Sequence, residues 1–229
     1  LLSSADNQDM LQRCLQALAG WCKFGISLST LKTLPFYASV KELTRSPTLC
    51  KGACELFAAA IKTTSYPAES DDTLMEVVDD LVALQPLYME AQAQRNDDFC
   101  EGLAMLSRAL MARSSKFIAS GRGQTLQLSH FCLEMVAHPN KGISEIAMEY
   151  WDELDFVDMS ARCEPMRGPI YQALLEVLAT RCAPYPAGFV DWDSCEEEEE
   201  EFHMFRRRIE EALLNCCVCL RAESLAILC

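Results

Sequence analysis

The sequence predicts an all-α chain built as an open solenoid of antiparallel helix pairs. Three observations carry this. Half of the 229 residues are hydrophobic while glycine and proline number only nine each, a mix suited to packed helices rather than to disordered or fibrous chains. Apolar residues recur at helical spacing over segments of about 12 to 22 residues, and no segment alternates as a strand would. Short turns join these segments, which favours antiparallel neighbours. The segments also group in pairs on a period of about forty residues, the length of a HEAT-type repeat. The period lies in helix spacing and not in a repeated word, and the number of helices favours an open solenoid over a closed bundle.

Taken in order, Asp9–Phe24 is the first predicted helix, with Met10, Leu11, Cys14, Leu15, Leu18 and Trp21 recurring at helical spacing and Gly25 as its stop. A short helical turn is expected over Ser29–Leu34, closed by Pro35, and the apolar pattern continues over Phe36–Leu43. Ser46-Pro47 reads as a cap and first helical position for Pro47–Lys62, which points Leu49, Cys50, Cys54, Phe57, Ala58 and Ile61 inward. Ser70-Asp71-Asp72 caps a helix running to about Gln94, with Pro86 kinking it or marking a boundary. Asn96-Asp97-Asp98 caps the next, Phe99–Ile118, and Ser120–Gly123 is a turn. Thr125–Ala137 and Ser144–Phe156 pair across the His138-Pro139-Asn140 turn, and Met166–Arg181 follows with Pro169 in its first turn. A loop rich in proline and acid, about 183–201, leads into Phe202–Leu220, whose Phe202, Phe205, Ile209, Leu213, Cys216 and Leu220 share one face.

Charge and cysteine usage bound the function. The net charge of -14, from 34 acidic and 20 basic residues, repels phosphate backbones and attracts basic surfaces, so a basic protein partner fits better than nucleic acid. No apolar run approaches the ~20 residues that span a bilayer, and no secretory signal opens the chain. The thirteen cysteines are odd in number, and Cys14, Cys50, Cys54, Cys100 and Cys132 lie among Leu, Ala and Phe as small hydrophobes do, a pattern expected of a reduced, intracellular chain. The ends, Leu1-Leu2 and Leu225–Cys229, do not resemble natural termini, and residues 1–229 are expected to be one solenoid segment of a longer protein.

No catalytic constellation emerges. Cys216-Cys217-Val218-Cys219 contains a CxxC, but zinc needs a second ligand pair and dithiol exchange a helix-start position. A zinc or thiol-redox role for Cys216 and Cys219 is therefore a minor alternative. His130 and His138 stand apart from any nucleophile, His138 at a helix end where a cation suits the dipole. Gly121-Arg122-Gly123 lacks the Lys-Ser/Thr of a P-loop and a preceding strand. Asp79, Asp80, Asp152 and Asp155 read as solvated helix faces. No metal or cofactor is expected.

The stretch that stands out is Asp191–Arg221. Like charges repel, so Glu196–Glu201 is expected to be a solvated loop or a fraying helix start, where carboxylates favour the exposed N–H groups. Arg206-Arg207-Arg208 follows at once, self-neutralised by Glu196–Glu201 and by Glu210-Glu211, or else a small basic patch beside an acidic loop. The candidate partner-binding residues are Asp191, Asp193, Glu196, Glu197, Glu198, Glu199, Glu200, Glu201, Arg206 and Arg207.

Three segments resemble the importin-β superfamily of nuclear transport receptors, in its transportin-3 (transportin-SR) and importin-13 branch. Thr125–Val157 is similar to that branch's helix, His-Pro turn and aromatic-Trp helix through Leu126, Leu128, His138, Pro139, Glu145, Tyr150 and Trp151. Glu199–Ser224 is similar to its acidic loop followed by a Phe-Arg-x-Arg helix start, through Phe202, Phe205, Arg206 and Arg208. Leu11–Trp21 looks like its Cys-Leu-x-x-Leu-x-x-Trp helix through Cys14, Leu15, Leu18 and Trp21. The resemblance implies a HEAT-repeat superhelix without enzymatic activity that shuttles between cytoplasm and nucleus. It implies binding of protein cargo, basic or serine/arginine-rich, of FG nucleoporins, and of Ran-GTP. A HEAT or armadillo scaffold with no nucleotide dependence is the alternative.

Overall fold

The computed structural model describes residues 4–63, 70–184 and 196–221, and all regular structure among them is helical. Helix α1 (Ser4–Cys22) is followed by the short α2 (Leu28–Lys32) and α3 (Tyr37–Leu43), then α4 (Cys50–Lys62), α5 (Asp71–Val82), α6 (Gln85–Ala93), α7 (Asp97–Ala119), α8 (Thr125–Val136) and α9 (Lys141–Asp155). Two turns of 3-10 helix, Met159–Ala161 and Glu164–Met166, lead to α10 (Pro169–Val177), which continues as a π-turn to Cys182, and α11 (Glu196–Leu220) follows.

The helices form two rows. In the first, α1, α4, α7, α9 and α11 pack side by side in that order; in the second, α2–α3, α5–α6, α8 and α10 each lie against the first row. Successive pairs stack to bury one continuous core, which is how a helical-repeat solenoid holds together. The predicted fold class is thus the observed one. Side chains from both rows fill the core, with Tyr88, Phe131, Tyr150 and Tyr171 its largest fully buried members.

Polar contacts fix the stacking order. Asn96 caps α7 by accepting from the Phe99 N–H at 3.3 Å and donates its amide to the Pro47 carbonyl, just ahead of α4, at 2.9 Å. Asn140 does the same one repeat later: it accepts from the Gly142 N–H and donates to Asp97 at the start of α7, at 2.7 Å. The N-termini of α4, α7 and α9 therefore share one edge of the stack. Thr63 at the end of α4 donates to the Cys22 carbonyl at the end of α1, which joins C-termini along the other edge. Ion pairs form a ladder between these edges, with Lys51 to Asp98 and Glu101 at 2.9 Å, Arg108 to Glu149 at 2.9 Å, and Arg208 to Asp152. In the second row Lys32 reaches Glu76 at 2.5 Å and Lys41 reaches Asp80 at 2.7 Å.

Several local expectations are corrected. Of the two expectations for Pro86 the boundary holds: α5 ends at Val82 and Pro86 sits in the first turn of a separate helix, α6, so the single helix to about Gln94 is corrected to two. Ser46 does not cap α4, which begins at Cys50 behind Leu49 with no side-chain cap. Helix α9 begins at Lys141 under the Asn140 cap, while the Ser144 hydroxyl donates to the Val136 carbonyl at 2.6 Å inside the core. Met10, Leu11, Cys14 and Trp21 of α1 are exposed, and Leu15, Ala19 and Cys22 carry the contact with α4. His138 is no helix-end cation: it is buried, its Nδ1 accepts the Asn140 N–H at 3.0 Å, and burial pushes its pKa down. Asp80, Asp152 and Asp155 are only partly solvated, since the first two pair across helices and Asp155 accepts a bond from Tyr171.

A candidate partner-binding surface at the start of α11

Helix α11 is held by its apolar stripe. Phe202, Phe205, Ile209, Ala212, Cys216 and Leu220 are buried, with Leu213 packed at the margin, against α9, α10 and the π-turn. At its first apolar turn the Lys141 ammonium lies 5.1 Å over the Phe202 ring. This cation–π contact places the N-terminus of α11 beside that of α9, on the edge where α4 and α7 also begin.

The acidic run is not a loop where it is described. Glu196–Glu201 form the opening turns of α11, so backbone hydrogen bonding overcomes the repulsion of adjacent carboxylates there. Carboxylates in that position meet unsatisfied N–H groups and the positive end of the helix dipole, which offsets part of the repulsion. Glu200 and Glu201 present exposed side chains; those of Glu196, Glu197, Glu198 and Glu199, and the residues Asp191 and Asp193, lie outside the described residues.

The three arginines divide. Arg207 is exposed, while Arg206 is half-buried and engaged by a neighbour. Arg208, which lies outside the candidate partner-binding set, is the anchor: it pairs with Asp152 of α9 and, as expected of the triplet, with Glu211 at 3.2 Å. Burial works against its charge, but Asp152 and Glu211 more than compensate and its pKa rises. The triplet is therefore neither wholly self-neutralised nor wholly a free patch.

A buried polar network bolts the middle of α11 to the α9–α10 joint. Arg162, 3% exposed, donates from Nη1 to the Tyr171 hydroxyl at 2.7 Å and from Nε to the Val157 carbonyl at 2.9 Å. Tyr171 donates in turn to Asp155 Oδ1 at 2.5 Å, and Asn215 of α11 also bonds Asp155. Burial pushes the Asp155 carboxyl up despite the Tyr171 bond and Arg162. Cys216 and Cys219 face this network, and burial raises both thiols away from the thiolate that zinc binding or disulfide exchange requires.

The contacts that build this surface join residues a repeat apart. Lys51–Asp98 and Arg108–Glu149 are separated by 47 and 41 positions, close to the period read from helix spacing, and Asp152–Arg208 by a longer 56. Nothing local in the sequence marks such pairs.

No family profile matches the chain. It is similar to Transportin MOS14 of Arabidopsis thaliana, with 20% identity over 239 residues covering 94% of this chain and 24% of the relative. The chain thus spans about a quarter of the length of that curated relative. The similarity is to a transportin as such and does not distinguish a branch.

Proposed function

We propose that this chain is a segment of a nuclear transport receptor, a non-enzymatic karyopherin-like solenoid that belongs to the importin-β superfamily and shuttles between cytoplasm and nucleus. The observation that supports this best is the collinear similarity to a transportin along 94% of the chain, on a stack whose cross-helix contacts recur at one repeat length. In its sharper form the proposal follows the sequence resemblance to the transportin-3 and importin-13 branch. The whole of residues 1–229 is then one solenoid segment of a longer receptor. The acidic residues from Asp191 to Glu201, with Arg206 and Arg207, contact Ran-GTP or a basic, serine/arginine-rich cargo, and FG nucleoporins bind elsewhere on the receptor.

The mechanism is a population shift. Ran-GTP and cargo favour different curvatures of the stack, so each weakens the other. An acidic helix start that is anchored to α9 through Lys141 and Arg208 transmits a contact at its tip to the neighbouring repeat. The test is binding of the parent receptor to Ran loaded with GTP or GDP, with Glu196–Glu201 intact or replaced by serine. Preference for the GTP form is expected, and the serine variant should reduce cargo displacement by Ran-GTP by about tenfold, a typical allosteric coupling. Equal binding to both nucleotide forms would leave a HEAT scaffold without nucleotide dependence; unchanged displacement in the variant would remove the run from the mechanism.

A further inference from the structure

On the opposite edge of the stack, the end of α7 and the start of α5 enclose a cleft of about 370 Å³. Asp71, Leu74, Arg113, Ser114, Phe117 and Arg122 line it, together with Lys116. Three cationic side chains face one carboxylate, in a chain whose net charge is -14. Arg122 pairs with Asp71 at 2.7 Å and lies 5.1 Å over the Phe117 ring, so its guanidinium is already oriented. Arg113 and Lys116, three apart on one helix face, have no acidic partner among the described residues.

Ser114 is the unusual member. Its backbone leaves the helical region at φ -132° and ψ 29°, which kinks α7 at the Ser114-Ser115 pair. The residue is 8% exposed, lines the cleft, and makes no hydrogen bond among the described residues. Its hydroxyl is not one of the fully buried, unpartnered polar atoms among the described residues, so a ligand in the cleft can reach it. The helix dipole accounts for a lysine in the last turn of α7. It does not account for a second uncompensated cation, a kink and an unused hydroxyl converging on one cleft.

We infer that this cleft binds a single phosphate monoester, with Arg113, Lys116 and Arg122 neutralising it and the Ser114 hydroxyl donating to one of its oxygens. Three cations against Asp71 leave a local charge that one phosphate dianion balances, and a phosphate's oxygens offer separate acceptors to separate donors. Leu74 and Phe117 supply an apolar wall for the carbon chain that carries the ester. Polyanions fit poorly, because beyond about 8 Å, a Debye length in physiological salt, they meet the negative field of the rest of the chain. This inference does not rest on the transport reading and would survive its failure.

The experiment is calorimetric titration of the full chain with three probes: a short peptide carrying one phosphoserine, the same peptide with serine, and inorganic phosphate. Wild type is expected to bind the phosphopeptide and not the serine peptide. Each of R113A and K116A should weaken binding by about tenfold, the usual cost of a lost charge-assisted hydrogen bond. Inorganic phosphate competing as strongly as the peptide would point to a free small ester, and weak competition to a phosphorylated side chain; both support the site. S114A supplies a readout that a structural role would not: the melting temperature should hold or rise, because no internal bond is lost, while phosphate binding weakens. Equal binding of phosphorylated and unphosphorylated peptide, or unchanged affinity in the R113A/K116A double variant, would overturn the inference.

Discussion

Helices α7 and α1 are of similar length, 23 and 19 residues, and both carry a helical repeat of apolar residues, yet they end up in opposite situations. Helix α7 packs against α4 on one side and α9 on the other, with α5, α6 and α8 beneath it. It buries Phe99, Leu103, Leu106, Leu110, Met111, Phe117 and Ile118. Helix α1 packs chiefly against α4 among the described helices, and Trp21, which shares its apolar pattern, is 64% exposed. Amphipathicity thus states how a helix is able to pack; the number of flanking helices decides how much of that capacity becomes stability.

The sharpest test removes apolar side chains from the two helices. Leu110→Ala should destabilise the fold by about 2–5 kcal/mol, the cost of a cavity at a fully buried leucine. Trp21→Ala should stay within about 0.5 kcal/mol, as exposed substitutions do. Urea denaturation of both variants measures the gap, and comparable losses would mean that α1 is covered in solution.

Glycine gives a second contrast, of opposite sign. At Gly102 in α7, a Cβ would lie 2.8 Å from the Lys51 Cα and 3.2 Å from its N, so the backbones of α4 and α7 meet there with no side chain between them. Gly102→Ala must push the two helices apart and should cost about 1–3 kcal/mol, as overpacking does. At Gly20 in α1 nothing lies within 4 Å of the added atom. Gly20→Ala should stabilise by about 0.5–1 kcal/mol through helix propensity alone. Thermal melts that moved in the same direction for both would refute the close α4–α7 approach.

The same contrast shows what the sequence could and could not disclose. Periodicity located every long helix and the buried stripe of α11, because burying one face is a local property of a segment. It grouped Met10, Leu11, Cys14 and Trp21 of α1 with Leu15 at helical spacing, but a segment carries no signal of how many neighbours its apolar face will meet. The candidate surface was legible as an acidic run before an apolar helix, but the choice between loop and helix start for Glu196–Glu201 was not. There, repulsion between side chains and the favourable helix terminus compete, and only the tertiary anchor of Phe202 and Phe205 decides. The anchoring role of Arg208 was hidden for another reason: its partner Asp152 lies 56 residues away, so the pair exists only once the repeats are stacked. Asp155 and His138 were misread as solvated or cationic because residue type outweighed burial in a reading without contacts.

The smallest expected effect concerns charge. Arg208 and Asp152 join α9 to α11 with both side chains about two-thirds buried or more, at 27% and 32% exposure. Arg13 and Asp9 form an ion pair within α1 at 76% and 62% exposure. A double-mutant cycle on Arg208 and Asp152, using alanine at each position, should give a coupling near 1 kcal/mol, the upper end for partly screened pairs. The same cycle on Arg13 and Asp9 should return about 0.3 kcal/mol or less, the level of an exposed pair within one helix. Raising the salt should erase the second before the first, because solvent already screens the pair on α1 while helix packing shields the pair between α9 and α11. Equal couplings would mean that α11 is not held to α9 through this pair, and a contact at its acidic tip would then have to reach the neighbouring repeat through Lys141, Phe202 and the rest of the apolar stripe.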